Sequence, residues 1–165
     1  MNAMIRLCAS ALLALGSSAV SASTIETLLS IPGLPGESSV RGYENWIDLD
    51  SVSVGVVDRA CSRITAIKKL DRASPALSAS ALSGLLYSSM VIATVKVGAE
   101  QAEFLRYTLT NVIVTAVNIN NAPDGYPMET IILQPGVITF SYRSQREDGT
   151  LDAPIQFTLT CSKYR

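Results

Sequence analysis

The sequence predicts a mainly β fold, a barrel or sandwich of antiparallel strands with one short flanking helix. Three observations carry this reading. Short segments rich in Val, Ile and Thr recur along the chain and are separated by strong turn signals. Only one stretch, beginning near Ser74, combines a helix start with apolar residues at a spacing of four. No repeat of roughly 20–50 residues and no low-complexity linker divides the chain, so the strands belong to one layered unit.

The first 22 residues read differently from the rest. Residues 1–6 carry one positive charge, Arg6, and residues 7–15 are apolar. Residues 16–22 are small and polar and end Val20-Ser21-Ala22 before Ser23. That three-part pattern is a secretory signal peptide with cleavage between Ala22 and Ser23. A membrane span needs about 20 apolar residues, and neither this run nor any later one is long enough. Arg6 and Leu7 do not suit a lipoprotein site at Cys8. The expected product is a soluble, periplasmic or secreted domain of residues 23–165, with no membrane insertion. It is long enough to bury roughly two-thirds of its unfolded surface in one core.

Residues 46–56 read as the first long strand. Ile47 and Leu49 are apolar in one phase, Val52 and Val54 in the other, which predicts a bulge near Asp50 or Ser51, or burial on both faces. Residues 64–70 form the next strand and run into the helix. Ser74 is placed to cap it, Pro75 fits its first position, and Leu77, Ala81 and Leu85 make its apolar face. Residues 90–97 return as strand, with Val91, Ala93, Val95 and Val97 on one face. A turn at 98–101 leads to a long strand or bent pair at 104–119, and 120–125 is a turn cluster. Residues 129–143 are strand again, interrupted at Gln134-Pro135-Gly136, where proline cannot donate to a ladder and a bulge or corner is expected. After a turn at 146–150, the last strand is 155–162. Its alternation of Ile155, Phe157, Leu159 and Cys161 predicts a buried face, with Phe157 and Trp46 as core aromatics.

The chemistry is thin. The chain has no histidine, which excludes Ser-His-Asp and Cys-His units within one subunit and every His-containing zinc site. No phosphate loop or dinucleotide fingerprint is present, so no catalytic residue, metal or cofactor is expected. Ser38 and Ser39 lack a base and read as turn residues. Asp48 and Asp50 share a strand face and read as solvated charges; if buried, they would need a partner such as Arg41 or Lys68. Loss of Arg6 with the leader leaves 12 basic against 14 acidic residues, no basis for nucleic-acid binding. Two cysteines, Cys61 and Cys161, survive cleavage. A disulfide, closing a loop for which chain entropy allows roughly 4–5 kcal/mol, and two separate buried thiols are both compatible with the sequence.

Several short motifs stand in order: Ile31-Pro32-Gly33 with Gly36-Glu37-Ser38, Asn45-Trp46-Ile47-Asp48-Leu49, Ser51-Val52-Ser53-Val54-Gly55, and Lys68-Lys69-Leu70-Asp71-Arg72-Ala73-Ser74-Pro75. Pro127-Met128-Glu129-Thr130-Ile131, Phe140-Ser141-Tyr142 and Asp148-Gly149-Thr150 follow. At these distances the set resembles the haemolysin-coregulated protein (Hcp) family over about residues 30–162. The resemblance implies the Hcp fold, a β-barrel of two packed antiparallel sheets with one short flanking helix. It implies the role of inner-tube protein of the bacterial type VI secretion system, built by side-by-side closure of hexameric rings. Glu37, Ser38, Trp46, Asp71, Ser74, Pro75, Glu129, Asp148 and Gly149 occupy family-like positions, none of them catalytic in the family.

Two departures qualify that role. Tube proteins of this family usually lack a signal peptide. They also carry a longer Gly-rich loop between the second and third strands, which contacts the next ring; here it shrinks to Val56-Val57-Asp58-Arg59-Ala60-Cys61-Ser62. The expected partner is the chain itself, with secretion-system components or a small effector in the ring lumen as further candidates. The alternative is a periplasmic or secreted binding module that reuses the barrel.

Overall fold

The computed structural model describes residues 23–57, 60–121 and 125–161. The leader, Asp58 and Arg59, the tip of the 120–125 turn, and residues 162–165 lie outside it. The described elements are β1 (Thr24–Ser30), β2 (Ile47–Leu49), β3 (Ser51–Ser53), β4 (Val56–Val57), β5 (Ala60–Cys61), β6 (Ile64–Lys69), α1 (Ser74–Ser83), β7 (Leu86–Val97), β8 (Ala102–Asn121), β9 (Pro127–Gln134), β10 (Val137–Tyr142) and β11 (Ile155–Thr160). One nine-stranded antiparallel sheet runs β2-β1-β7-β8-β9-β6-β3, with β10 on β8 and β11 on β10. β4 and β5 pair only with each other, as a small separate hairpin.

The described strands thus form two antiparallel sheets, one of nine strands and one of two, and the large sheet is not a closed barrel. Its two end strands, β2 and β3, are nevertheless consecutive in the chain. Asp50 alone joins them, and its N–H donates to Ile67 O on β6 at 2.8 Å. The change of apolar phase at this point is thus a change of partner: β2 pairs with β1, β3 with β6. The sheet must curl on itself for one segment to serve both ends.

β8 is the spine. On one side it pairs with β7. On the other, its first half pairs with β10 and its second half with β9. β9 and β10 are one strand broken at Pro135-Gly136, as the missing proline donor requires. Opposite the break, Asn111 takes a left-handed φ of 54° and Gly136 N–H donates to the carbonyls of Thr110 and Asn111. Asparagine is among the few non-glycine residues that tolerate this conformation.

The main core takes Leu29, Ile47, Ile64, Leu77, Ile92, Leu109, Ile131 and Leu133. A second, small cluster of Leu28, Ala93 and Val95 lies on the opposite face of β1 and β7, with Val97, Tyr43 and Trp46 packed on it. Val91, Ala93, Val95 and Val97 do share a face by alternation, but Met90 and Ile92 serve the main core. β7 is buried on both faces because the 36–46 loop folds over it. Trp46 accordingly packs, half-buried, on the outer cluster, edge-on to Tyr43 with ring centroids 5.0 Å apart.

Three local expectations are corrected. The helix N-cap is Ala73, with no side-chain cap, and Ser74 is the first helical residue. Leu85 lies beyond the left-handed Gly84 that ends the helix and is half-exposed, so only Leu77 and part of Ala81 face the core. Phe157 is 60 % exposed and Ile155 70 %, because among the described strands β11 pairs only with β10, and of its alternating apolar residues only Leu159 and Cys161 reach the main core.

The 36–46 loop is closed by Gly36 N–H to Asn45 O at 2.7 Å and Ser38 N–H to Trp46 O at 2.9 Å. A Cβ on Gly36 would collide with the Trp46 carbonyl oxygen and the Ile47 backbone. We therefore expect Gly36→Ala to cost at least ~1–3 kcal/mol, the usual penalty for forcing atoms into a packed backbone contact. Urea denaturation measures it; an unchanged midpoint would contradict the packing described.

Candidate functional site

Two positions on adjacent strands set the only buried ion pair among the described residues. On β6, Ile64, Ala66 and Lys68 alternate inward; on β9, Glu129, Ile131 and Leu133 do the same. Lys68 and Glu129 are direct cross-strand partners. Both side chains are fully buried, with Lys68 Nζ 2.9 Å from Glu129 Oε2. The chain then turns into α1, and the turn completes the cluster. Lys68 Nζ donates to Asp71 Oδ1 at 2.7 Å, to Lys69 O at 2.9 Å and to Ser74 Oγ at 3.1 Å. Ser74 Oγ donates to Glu129 Oε2 at 2.6 Å and accepts from Asp71 N–H. Asp71 Oδ1 also accepts from Ala73 N–H at 2.9 Å, which satisfies the helix start that Ser74 was expected to cap.

Ser74 beside Lys68 has the composition of a nucleophile and its base, but the arrangement cannot work as one. Every N–H of the ammonium is donated, Ser74 gives its proton to a carboxylate, and Lys68, Ser74 and Glu129 are buried from solvent. A general base needs a free lone pair and a substrate within reach. The cluster locks α1 onto β6 and β9.

The other motif residues divide. Glu37 Oε1 accepts from Arg72 N–H at 3.1 Å, fastening the 36–46 loop to the same turn. Buried Ser38 accepts from Val40 N–H within that loop. Pro75 lies in the first turn of α1. Asp148 and Gly149 form a separate exposed turn; hydrogen bonds from Thr150 hold the Asp148 carboxyl below the usual range. Asp48 and Asp50 are both exposed, and with Glu26, Glu37 and Asp71 they line an open acidic cleft of about 280 Å³ beside Lys69. Among the described residues, no group of His, Cys, Asp or Glu could hold a metal ion. Near the second core cluster, Tyr43 donates to Glu103 at 2.5 Å, and Glu103 is paired with Arg106 through two contacts of 2.6 Å.

Surfaces remain. β4 and β5 pair Val56 with Cys61 and Val57 with Ala60, and beyond them the N–H and Oγ of Ser62 both donate to Gly55 O. In the structure Cys61 and Cys161 form a disulfide, with Cα atoms 5.1 Å apart. Beside it, Val54, Val56, Tyr107, Phe140, Phe157 and Leu159 line an apolar cleft of about 270 Å³. A second apolar patch lies at the end of α1, where Leu82 is 92 % exposed and Leu85 and Leu86 are uncovered. Residues 74–95 contain no charged side chain, so no charge interrupts that patch along the chain. No described helix is long and apolar enough to cross a membrane.

Comparison with known proteins places this geometry. The model of a family described as "Type VI secretion system effector, Hcp" matches residues 28–143. Among solved structures, Hcp1 from Salmonella typhimurium is 24 % identical, with a TM-score of 0.73 over 82 % of this chain and 94 % of its own. A type VI secretion system effector from Yersinia pestis is 24 % identical, with a TM-score of 0.70 over 81 % of this chain and 98 % of its own. The secreted protein Hcp3 from Pseudomonas aeruginosa is 15 % identical, with a TM-score of 0.65 over 86 % of this chain and all (100 %) of its own. No curated protein matches the chain.

Two expected outcomes follow from the polar groups. Lys68→Met leaves Glu129 buried without its cation and should cost ~3–5 kcal/mol. Adding Glu129→Leu removes the stranded charge and should recover at least half of that loss; a double variant as unstable as the single one would refute the account. Tyr43 offers a pH test. Burial, then its bond to Glu103, pushes its phenol from 10.0 to about 12. The folded state thus holds the proton longer than the unfolded chain does. The stability it contributes is whole below pH 10 and is lost as pH rises towards 12. Tyr43→Phe should flatten the fall in stability across that window, measured by denaturation at a series of alkaline pH values.

Proposed function

The chain belongs to the Hcp family of type VI secretion proteins, and from that premise we propose that it is an exported structural subunit that self-assembles into rings related to the secretion inner tube. The observation that carries the proposal is the family match over residues 28–143, which takes in the core, the buried ion pair and most of the sheet. A closed ring repeats one heterologous contact, so each subunit must offer two different surfaces. The described surface has two separate apolar candidates. One is β11 with the β4–β5 hairpin; the other is the uncharged end of α1 with Leu82, Leu85 and Leu86. β11 also has an unpaired edge, which can accept a neighbouring strand.

Stacking of rings is a different matter. The hairpin of β4 and β5 has only two residues in each strand, which supports a shortened loop rather than a projecting one. Single hexameric rings, or lower oligomers, are therefore the expected assembly under mild conditions, rather than long tubes. The charge pattern supports no nucleic-acid partner. A ring lumen offers room for a small effector or a contact with secretion-system components.

The second reading, a periplasmic or secreted binding module, has one observation in its favour. A cleft of about 230 Å³ is floored by Ile25, Phe104, Tyr142 and Leu151 and flanked by Lys96 and Arg143. Such a site suits a small amphipathic anion. Stoichiometry separates the two readings. Protein recovered from its native host should begin at Ser23 and have, by native mass spectrometry and electron microscopy, the mass and outline of a six-membered ring. A monomer at tens of micromolar overturns the ring and favours the binding module. Residues 1–22 still attached would overturn export, and spontaneous long tubes would overturn the argument from the short hairpin.

A further inference from the structure

The β4–β5 hairpin is held to the body of the molecule in an unusual way. It shares no ladder with the nine-stranded sheet, and its internal bonds join Val56 to Cys61, Val57 to Ala60, and Ser62 to Gly55. Of its four strand residues only Cys61 is buried; Val56 and Val57 are more than half-exposed. Cys161, 100 residues further on, is well anchored: it follows β11, and its N–H donates to Gly136 O at 2.8 Å, at the corner between β9 and β10. The disulfide therefore fastens a small autonomous hairpin to a fixed point of the large sheet. The apolar cleft beside it has Val54 and Val56 as one wall and Phe157 and Leu159 as the other. These walls are far apart in sequence, and no backbone ladder joins them.

We propose that the Cys61–Cys161 bond is a redox clasp that completes the Val56–Phe157 face, so that this face exists only in the oxidised chain. In a reducing cytosol the two thiols stay separate, and the hairpin keeps its side-chain packing and its chain ends in the paired strands β3 and β6 but loses its covalent tie to the end of β11. Outside the cytosol, one thiolate attacks a protein disulfide of the thiol–disulfide oxidoreductase class, or glutathione disulfide, and releases one thiol. The second cysteine thiolate attacks the mixed disulfide and releases the other. Two electrons and two protons leave the chain, one S–S bond forms in it, and one S–S bond is lost from the oxidant. Reduction by a dithiol is the reverse. Most of the main core comes from β1, β6 to β9 and α1; the bond enters it through Cys61, with Cys161 packed against it. The clasp switches one surface and leaves the fold standing. That the surface serves assembly rests on the ring reading above; that the bond orders it does not.

The test compares the mature chain oxidised with glutathione disulfide, the same protein reduced with a dithiol, and the double variant Cys61→Ser/Cys161→Ser. Thiol labelling of the exported protein under denaturing, non-reducing conditions should find no free thiol; two labelled thiols per chain overturn the proposal. Hydrogen exchange is read at the amides of Val56, Val57, Ala60 and Cys61. Reduction should speed it about ten-fold or more, as for a unit that opens locally, while Ile92, Leu109 and Ile131 stay protected. Equal exchange in both states overturns the clasp. If the double variant fails to fold, the reduced wild-type chain supplies the same comparison. The concentration at which the oligomer half-dissociates should rise about ten-fold or more on reduction, as when an interface loses one ordered patch. A chain monomeric in both states, with a hairpin that still loosens on reduction, upholds the clasp and overturns the ring reading.

Discussion

A lysine ammonium has been taken out of water at Lys68, and much of the fold is arranged around its neutralisation. Removing such an ion from solvent costs several kcal/mol even after relaxation, and only well-placed opposite charge and hydrogen bonds offset it. Glu129 supplies the charge from the neighbouring strand, which fixes the register of β6 against β9. Asp71 and Ser74 supply the rest from the turn beyond β6, which fixes where α1 begins and how it lies on the sheet. A one-residue slip of either strand would point one of these charges outwards. The same turn receives Glu37 through Arg72 N–H, so the 36–46 loop and its aromatic pair over β7 depend on it as well. An apolar core tolerates small shifts in packing; this cluster does not, and it selects one arrangement of strand, strand and helix.

The second organising constraint is that few strands serve many partners. β8 has 20 residues and pairs with three neighbours. It can do so only because its partner breaks at Pro135-Gly136 and its own backbone takes a left-handed step at Asn111. Register shifts after Thr94 in β7 and after Val114 in β8 add bend. At the far end, Asp50 hands the chain from one edge of the sheet to the other. These irregular points curl the sheet without closing it, and they leave β11 at an edge. The exposed Phe157 and Ile155 follow from that topology, since only the Leu159–Cys161 end of this one-sided strand reaches the core.

Much of this was legible in the sequence, and the failures have physical causes. Most strand positions, the change of apolar phase near Asp50 and the break at Pro135-Gly136 could be read because alternation and proline act locally, whereas β1 went unread and the phase change proved to be a change of partner rather than a bulge. The capping of α1 was misread because Ser74 fits two roles, and the deciding partners, Lys68 and Glu129, lie in other strands. Lys68 itself could have been found: it is in phase with Ile64 and Ala66, as Glu129 is with Ile131 and Leu133. Two inward-phased opposite charges on candidate partner strands make a readable signal. Phe157 was placed in the core because its alternation is that of a buried strand. Period alone cannot tell an inner strand from an edge strand awaiting a partner, since both need an apolar face.

That ambiguity is also where function lies. The chain's most concentrated polar chemistry is sealed inside and spent on holding its elements together, while its exposed surface carries apolar groups that are costly to leave in water. Leu82 at the end of an uncharged helix, and Phe157 beside Val56 on an edge strand, gain nothing for a solitary domain. They cease to be liabilities when another surface covers them. A fold that locks its interior with one ion pair, and leaves two unlike apolar patches outside, fits the proposed ring, in which a neighbour covers them. On that logic the disulfide is more than a staple for a small domain. It joins the small hairpin between β3 and β6 to the end of the edge strand β11, and so ties the surface around Val56 and Phe157 to the core that Cys61 enters.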